Sequence, residues 1–174
     1  MGNINTYFSD FLTGIRLTQT QKDDARRGHT TLRSRLLADE DLKDIIVTTF
    51  LQGSYRRSTA VRPLGDKRAD VDVIVVTTFD KNKVEPKDAL EKFEPFVEKH
   101  YKGKWQRQGR SIGISLSYVD LDIVVTSAPS EADKANLRSK SVMTDLALED
   151  LMTPSYDWRL SKGWLEPVSY THLT

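Results

Sequence analysis

Asp70 and Asp72 stand two apart in Ala69-Asp70-Val71-Asp72-Val73-Ile74-Val75-Val76, a β-branched run that predicts a strand from Val71 to Phe79. Alternate side chains of a strand share a face, so both carboxylates project to one side while Val71 and Val73 point to the other. Two unpaired carboxylates about 5 Å apart repel by roughly 3 kcal/mol at an effective dielectric near 20. They call for a counter-charge, which a divalent cation supplies, and oxygen-only ligands suit Mg²⁺ or Mn²⁺ rather than zinc. Asp120 and Asp122 repeat the pattern ahead of the apolar run Ile123-Val124-Val125. Acidic positions drawn from two strands and converging on a pair of metal ions are what an in-line phosphoryl displacement uses. Parity alone does not separate Asp120 from Asp122 as the third acid.

The segment before the acidic pair adds a phosphate-facing element. Ile45 to Leu51 reads as a strand that ends at Gln52-Gly53-Ser54. A glycine there lets backbone approach a ligand closely, and a serine opening a short helix offers its hydroxyl and N–H groups to a phosphate. Arg56, Arg57, Arg62, Lys67 and Arg68 follow with a single acid, Asp66, among them. Each feature taken alone is ordinary: a turn, a solvated loop, or charges on an edge strand. Their joint order, strand to Gly-Ser to acidic pair to third acid, is what carries the reading.

The elements that must position these residues are legible in outline. Asn5 to Ile15 predicts an amphipathic helix with Tyr7, Phe8, Phe11, Leu12 and Ile15 on one face, and Thr20 to Leu37 a charged second helix. Pro86 to Tyr101 predicts a third, its apolar side formed by Leu90, Phe93, Phe96, Val97 and Tyr101, with Pro95 placed to kink it. Ser111 to Tyr118 and Val119 to Thr126 are strand-like runs with a bend near Asp120, Pro129 to Asp150 turns helical, and Trp158 to Pro167 has no clear period. The fold class is α+β (α/β), a mixed central sheet flanked by helices. His29, His100 and His172 sit among polar neighbours and read as surface residues, and Trp105, Trp158 and Trp164 as packing residues.

Composition limits the alternatives. The 174 residues carry 26 Lys+Arg against 25 Asp+Glu, a formal net charge of +1, which gives no global reason to bind nucleic acid or an anionic membrane. The lack of cysteine rules out a disulfide scaffold and fits a cytoplasmic setting. No apolar run approaches the ~20 residues of a spanning helix.

The order of apolar strand, Gly53-Ser54, Asp70-Val71-Asp72 and Asp122 resembles the polymerase-β-like nucleotidyltransferases. Within them, Gln52-Gly53-Ser54-Tyr55-Arg56, then Thr59 and Arg62-Pro63, resembles the bacterial cyclic-oligonucleotide synthases related to cyclic GMP-AMP synthase, over about residues 45–127. The resemblance implies a metal-dependent antiphage enzyme with two Mg²⁺ or Mn²⁺ ions. It would join nucleoside triphosphates into a cyclic di- or trinucleotide with release of pyrophosphate, and the product would act on a separate effector; a regulatory protein partner is compatible with it. Gly53 and Ser54 would hold the donor triphosphate with Gln52 beside it, Asp70 and Asp72 would ligate metal, and Asp122, followed by Ile123-Val124, matches the third acid better than Asp120.

On this resemblance the catalytic domain spans residues 1–167, with N-terminal helices over 1–40, the core over 41–127 and a partial region over 128–167. The helical C-terminal lobe of such enzymes, with its acceptor pocket, is expected to be absent, and residues 168–174 read as a translated adapter remnant. The alternatives are a nucleotidyltransferase that modifies RNA, a protein or a small molecule, and a noncatalytic nucleotide-binding scaffold.

Overall fold

The structure is a computed structural model and describes residues 4–128, 130–146, 157–160 and 165–168. The two N-terminal helices are α1 (Ile4–Ile15) and α2 (Gln19–Ala38). A capping box opens α2: the Thr18 hydroxyl accepts from the Gln21 N–H, and the Gln21 side chain accepts from the Thr18 N–H. Although most of α2 is polar, Ala25, Gly28, His29, Leu32 and Leu36 form a buried stripe at helical spacing. His29, 3% exposed, therefore belongs to the core side of the helix and not to the surface; its ring lies 5.7 Å from that of Tyr55. Gly28 is the point of closest approach to the sheet, since a Cβ there would stand 2.6 Å from Val119 Cγ1.

The core follows as β1 (Ile46–Gln52), α3 (Gly53–Arg56), β2 (Asp70–Thr77), α4 (Pro86–Glu91), α5 (Glu94–Tyr101), β3 (Trp105–Arg107), β4 (Ile112–Ser115), β5 (Asp120–Ser127) and α6 (Glu131–Leu146). The helix expected over Pro86 to Tyr101 is two helices. Pro95 falls in the first turn of α5, where its missing N–H costs nothing, and the chain breaks just before it. The short β3 was not anticipated. Residues 157–160 (β6) and 165–168 (β7) pair antiparallel as a separate two-stranded sheet, in a stretch with no readable period. Met1 to Asn3, Trp164 and residues 169–174, His172 among them, lie outside the described residues.

The main sheet has the order β1-β2-β5-β4-β3. β2 and β5 run parallel at its centre, β1 is antiparallel to β2, and β3 and β4 continue antiparallel beyond β5. Odd positions of the central strands (Val71, Val73, Val75, Leu121, Ile123, Val125) pack with Leu32, Leu36, Phe93, Phe96 and Val97 in the main core. Each such side chain contributes about 1.5–3 kcal/mol by leaving water. The other face carries a smaller cluster of Phe50, Ile74, Val76 and Val124 under Leu137 of α6. Arg33 of α2 ties helix to sheet, donating from Nε to Thr49 Oγ1 and from a terminal nitrogen to the Thr49 carbonyl, both at 2.9 Å.

The apolar face of α1 stays largely open among the described residues. Tyr7, Phe8 and Phe11 of α1 are 77%, 59% and 52% exposed. Among the described residues, α1 is anchored through its C-terminal end. The Arg62 N–H donates to the Ile15 carbonyl, and its guanidinium to the carbonyls of Arg16 and Thr13. No described helix is long and apolar enough to cross a membrane.

Candidate active site and metal centre

Strand pairing explains why residues distant in sequence meet. Because β1 runs antiparallel to β2, its last residue, Gln52, lies opposite Asp72. Because β2 and β5 are parallel, Asp70 faces Asp120 and Asp72 faces Asp122. All four acids occupy the even-numbered face, at the strand ends beyond the cluster beneath α6.

Carboxylate oxygens of Asp70, Asp72 and Asp122 lie within 4.8 Å of one another, a donor set of hard oxygens suited to Mg²⁺ or Mn²⁺. Asp120 turns elsewhere: a terminal nitrogen of Arg68 stands 3.2 Å from its Oδ1, and Arg68 Nε donates to the carboxylate at 3.3 Å. The two candidate third acids thus stand in different surroundings. Asp122 lies with the acidic pair, and Asp120 is ion-paired with Arg68.

The cluster carries the electrostatic strain that its sequence implied. Burial, followed by the charges of Asp70, Asp72 and Asp120, pushes the Asp122 carboxyl up to about 6. Asp70 is raised by burial and then by Asp72 and Asp120. Asp72 is raised by burial, against the opposing pull of Arg57 and a backbone N–H. An acid whose folded pKa exceeds its unfolded value takes up a proton on folding. Its penalty is absent below about pH 4, grows as pH rises towards 6, and is complete above that. In EDTA, Asp122→Asn is therefore expected to melt higher than the parent chain, by more at pH 7.5 than at pH 4.5. A melting-temperature gap that does not change with pH would refute the charge cluster.

Gly53 has φ +77°, and a Cβ on it would sit 1.8 Å from Asp72 Oδ2. The Gly-Ser turn is thus in direct contact with the acidic pair. Ser54 is exposed, and its carbonyl accepts from the Thr59 N–H at 2.9 Å. Gln52 Oε1 is buried without a hydrogen-bond partner among the described residues, an acceptor left for a ligand or water.

The basic loop divides by role. Arg57 acts electrostatically on Asp72, Arg68 holds Asp120, and Arg62 donates to the carbonyls of Thr13 and Arg16 at the end of α1. Gln108 is a neighbour that sequence reasoning missed. A Cβ on Gly113, which faces Asp122 across the sheet, would meet Gln108 Nε2 at 2.4 Å and Asp122 Oδ1 at 3.2 Å. Ser111 Oγ donates to Gln108 Oε1 at 3.0 Å and so steadies this carboxamide. The available signal was Gly113 itself, since a glycine inside an apolar strand marks a close approach.

A mixed sheet with a Gly-Ser turn ending its edge strand and three carboxylates opening the two central strands is a polymerase-β-like nucleotidyltransferase core. A chain of the E. coli MS115-1 CdnC:HORMA-deltaN complex shares this fold. It matches with a TM-score of 0.58 at 21% identity, over 72% of this chain and 41% of that one. The family is more specific: the model of the second messenger oligonucleotide or dinucleotide synthetase domain matches residues 2–136, and the chain belongs to that family. It is 55% identical over 162 residues to the cyclic AMP-AMP-GMP synthase of Enterobacter hormaechei subsp. hoffmannii (strain UCI 50), covering 90% of this chain and 42% of the relative. A Salmonella paratyphi B protein, also named for cyclic AMP-AMP-GMP nucleotide synthesis, is 52% identical over 166 residues, covering 92% of this chain. The chain spans 42% of the length of each of these relatives.

Proposed function

We propose that the protein to which this chain belongs joins two ATP and one GTP into a cyclic trinucleotide, releasing pyrophosphate at each bond. The observation that carries the reading is the convergence of Asp70, Asp72 and Asp122 beside the Gly53-Ser54 turn. The names of the relatives at 55% and 52% identity support the choice of product. Divalent cations, two on this reading, supply Lewis-acid stabilisation of the attacking and leaving oxygens when bound. Asp70, Asp72 and Asp122 hold them. Ser54 and the Gly53 backbone grip the donor triphosphate, and Gln52 Oε1 accepts a hydroxyl or an ordered water beside it.

Asp122 accepts the proton of the attacking ribose hydroxyl as its oxygen bonds to the α-phosphorus and the bond to pyrophosphate breaks. Three such transfers close the ring. The remaining length of the natural protein supplies the acceptor pocket on this proposal, and residues 1–167 form its catalytic half. The setting is cytoplasmic antiphage defence, with the product acting on a separate effector. A regulatory partner belongs to the same proposal, since a protein of this fold occurs in a complex with HORMA-deltaN.

The test is incubation of the full-length protein with Mg²⁺ and mixed nucleoside triphosphates. A phosphatase-resistant product containing A and G in a 2:1 ratio is expected. Label transferred to RNA, protein or a small acceptor would replace this reading with another nucleotidyltransferase, and triphosphate binding without turnover with a scaffold.

A further inference from the structure

The side of α3 turned away from the carboxylates closes a second pocket, of about 310 Å³, that the transfer site does not use. Arg16 enters it from the link between α1 and α2, Lys22 and Arg26 from successive turns of α2, and Tyr55 from α3; Leu17 and Ala60 complete its apolar side. No carboxylate lines it, and the side chains of Arg16 and Lys22 form no ion pair among the described residues. Asp23, whose charge reaches Tyr55, is engaged by Gln19 Nε2 at 2.9 Å.

Lys22 and Arg26 are like charges at i,i+4, an arrangement that disfavours the helix by a few tenths of a kcal/mol. The first turn of a 20-residue helix adds the positive end of its dipole to the same place. Such a concentration of positive charge around a concavity is matched by an anion. Beside the cations, the half-buried Tyr55 ring and the buried Leu17 add apolar lining, the ring with a planar face. The Tyr55 hydroxyl is turned to the Lys22 carbonyl at 3.5 Å, which leaves the ring as the lining group. The volume is at the small end of the range for small-molecule pockets, about 300–1,000 Å³, and suits a mononucleotide rather than a nucleic-acid strand.

We propose that this pocket binds a free nucleotide, its phosphates against Arg16, Lys22 and Arg26 and its base on Tyr55, independently of the carboxylate site. The two sites lie on opposite sides of one short helix: Gly53 touches Asp72, and Tyr55 lines the pocket.

The test removes the first site and reads the second. The chain carrying Asp70→Asn and Asp72→Asn is titrated calorimetrically with ATP in EDTA, so the outcome does not depend on whether the protein makes a cyclic product. Saturable one-to-one binding is expected, weakened at least tenfold by adding Arg16→Ala and Lys22→Ala. Inorganic triphosphate is expected to bind at least tenfold more weakly than ATP. Circular dichroism checks the fold, and if the combined variant unfolds, Lys22→Gln alone on its exposed helix surface is expected to weaken ATP about threefold. No saturable ATP binding, or binding unchanged by these substitutions, would overturn the proposal. Triphosphate binding as tight as ATP would remove the base site, and a single-stranded 20-mer RNA that occupies the pocket while ATP does not compete would make it a nucleic-acid surface.

Discussion

In the full-length protein, changing Asp70 and Asp72 together to Asn is expected to lower cyclic-product synthesis by at least about a thousandfold, corresponding to roughly 4 kcal/mol of transition-state stabilisation. Asn preserves the volume of each side chain and one oxygen acceptor but removes the negative charge. The pair then loses most of its hold on a divalent cation, and with it the neutralisation of charge developing on the triphosphate. Burial, joined for Asp70 by the charges of Asp72 and Asp120, already makes these carboxylates costly to keep ionised in the metal-free chain, so the same change is expected to raise its melting temperature in EDTA. A gain in stability joined to a loss of synthesis separates removal of a functional charge cluster from damage to the fold. The comparison variant is Asp120→Asn. Asp120 lies directly opposite Asp70 but is paired with Arg68, and its loss is expected to cost no more than about tenfold, in the range of residues that act through a neighbour. Chromatographic product quantification decides the matter. Synthesis by the double variant within tenfold of the parent, or a penalty for Asp120→Asn equal to that of the pair, would sink the assignment.

How far these residues could be read from sequence depended on whether the interaction was periodic or tertiary. Alternation along a strand is local, so the shared face of Asp70 and Asp72, and the opposite face of Val71 and Val73, were legible without coordinates. The irregularity at Pro95, expected as a kink and found as a break between two helices, and the buried ring of Phe93 were equally local. Parity could not separate Asp120 from Asp122, because what distinguishes their surroundings is Arg68, which reaches Asp120 from a different segment. His29 looked solvated among polar neighbours in sequence, yet the stripe of Ala25, Leu32 and Leu36 carries it inward.

For α1 the helix was legible but the exposure of its aromatics was not: an amphipathic period shows which face seeks burial and not whether a partner is present to cover it. The basic loop read as one patch but is three different interactions, since Arg62 bonds to carbonyls of the α1 end more than forty residues away in sequence. Gln108 and the Arg16 to Tyr55 pocket had no local signal beyond a glycine in a strand and scattered cations, because both are made by elements that only the tertiary fold brings together.

Gly53→Ala is expected to reduce synthesis about a hundredfold and to lower stability by about 1–3 kcal/mol, for two separable reasons. The first is conformational: φ +77° is in the left-handed region, where a Cβ costs about 1–2 kcal/mol. The second is positional. The added Cβ would stand 1.8 Å from Asp72 Oδ2 and 2.9 Å from Asp72 Cγ, so the carboxylate must swing away. That movement displaces a proposed metal ligand, and misplacement of a reacting constellation by about 1 Å costs on the order of a hundredfold in rate. Gly65→Ala isolates the first effect. Gly65 also has positive φ, +63°, but a Cβ on it meets nothing within 4 Å. It is therefore expected to lower the melting temperature by about 2–4 °C for each kcal/mol of strain while leaving product formation nearly intact. Thermal unfolding and product yield, measured on both variants, separate the contributions. If Gly65→Ala loses as much synthesis as Gly53→Ala, backbone strain accounts for the loss; if Gly53→Ala keeps at least half the parental yield, the close approach of the Gly-Ser turn to Asp72 has no part in holding the carboxylate where the transfer needs it.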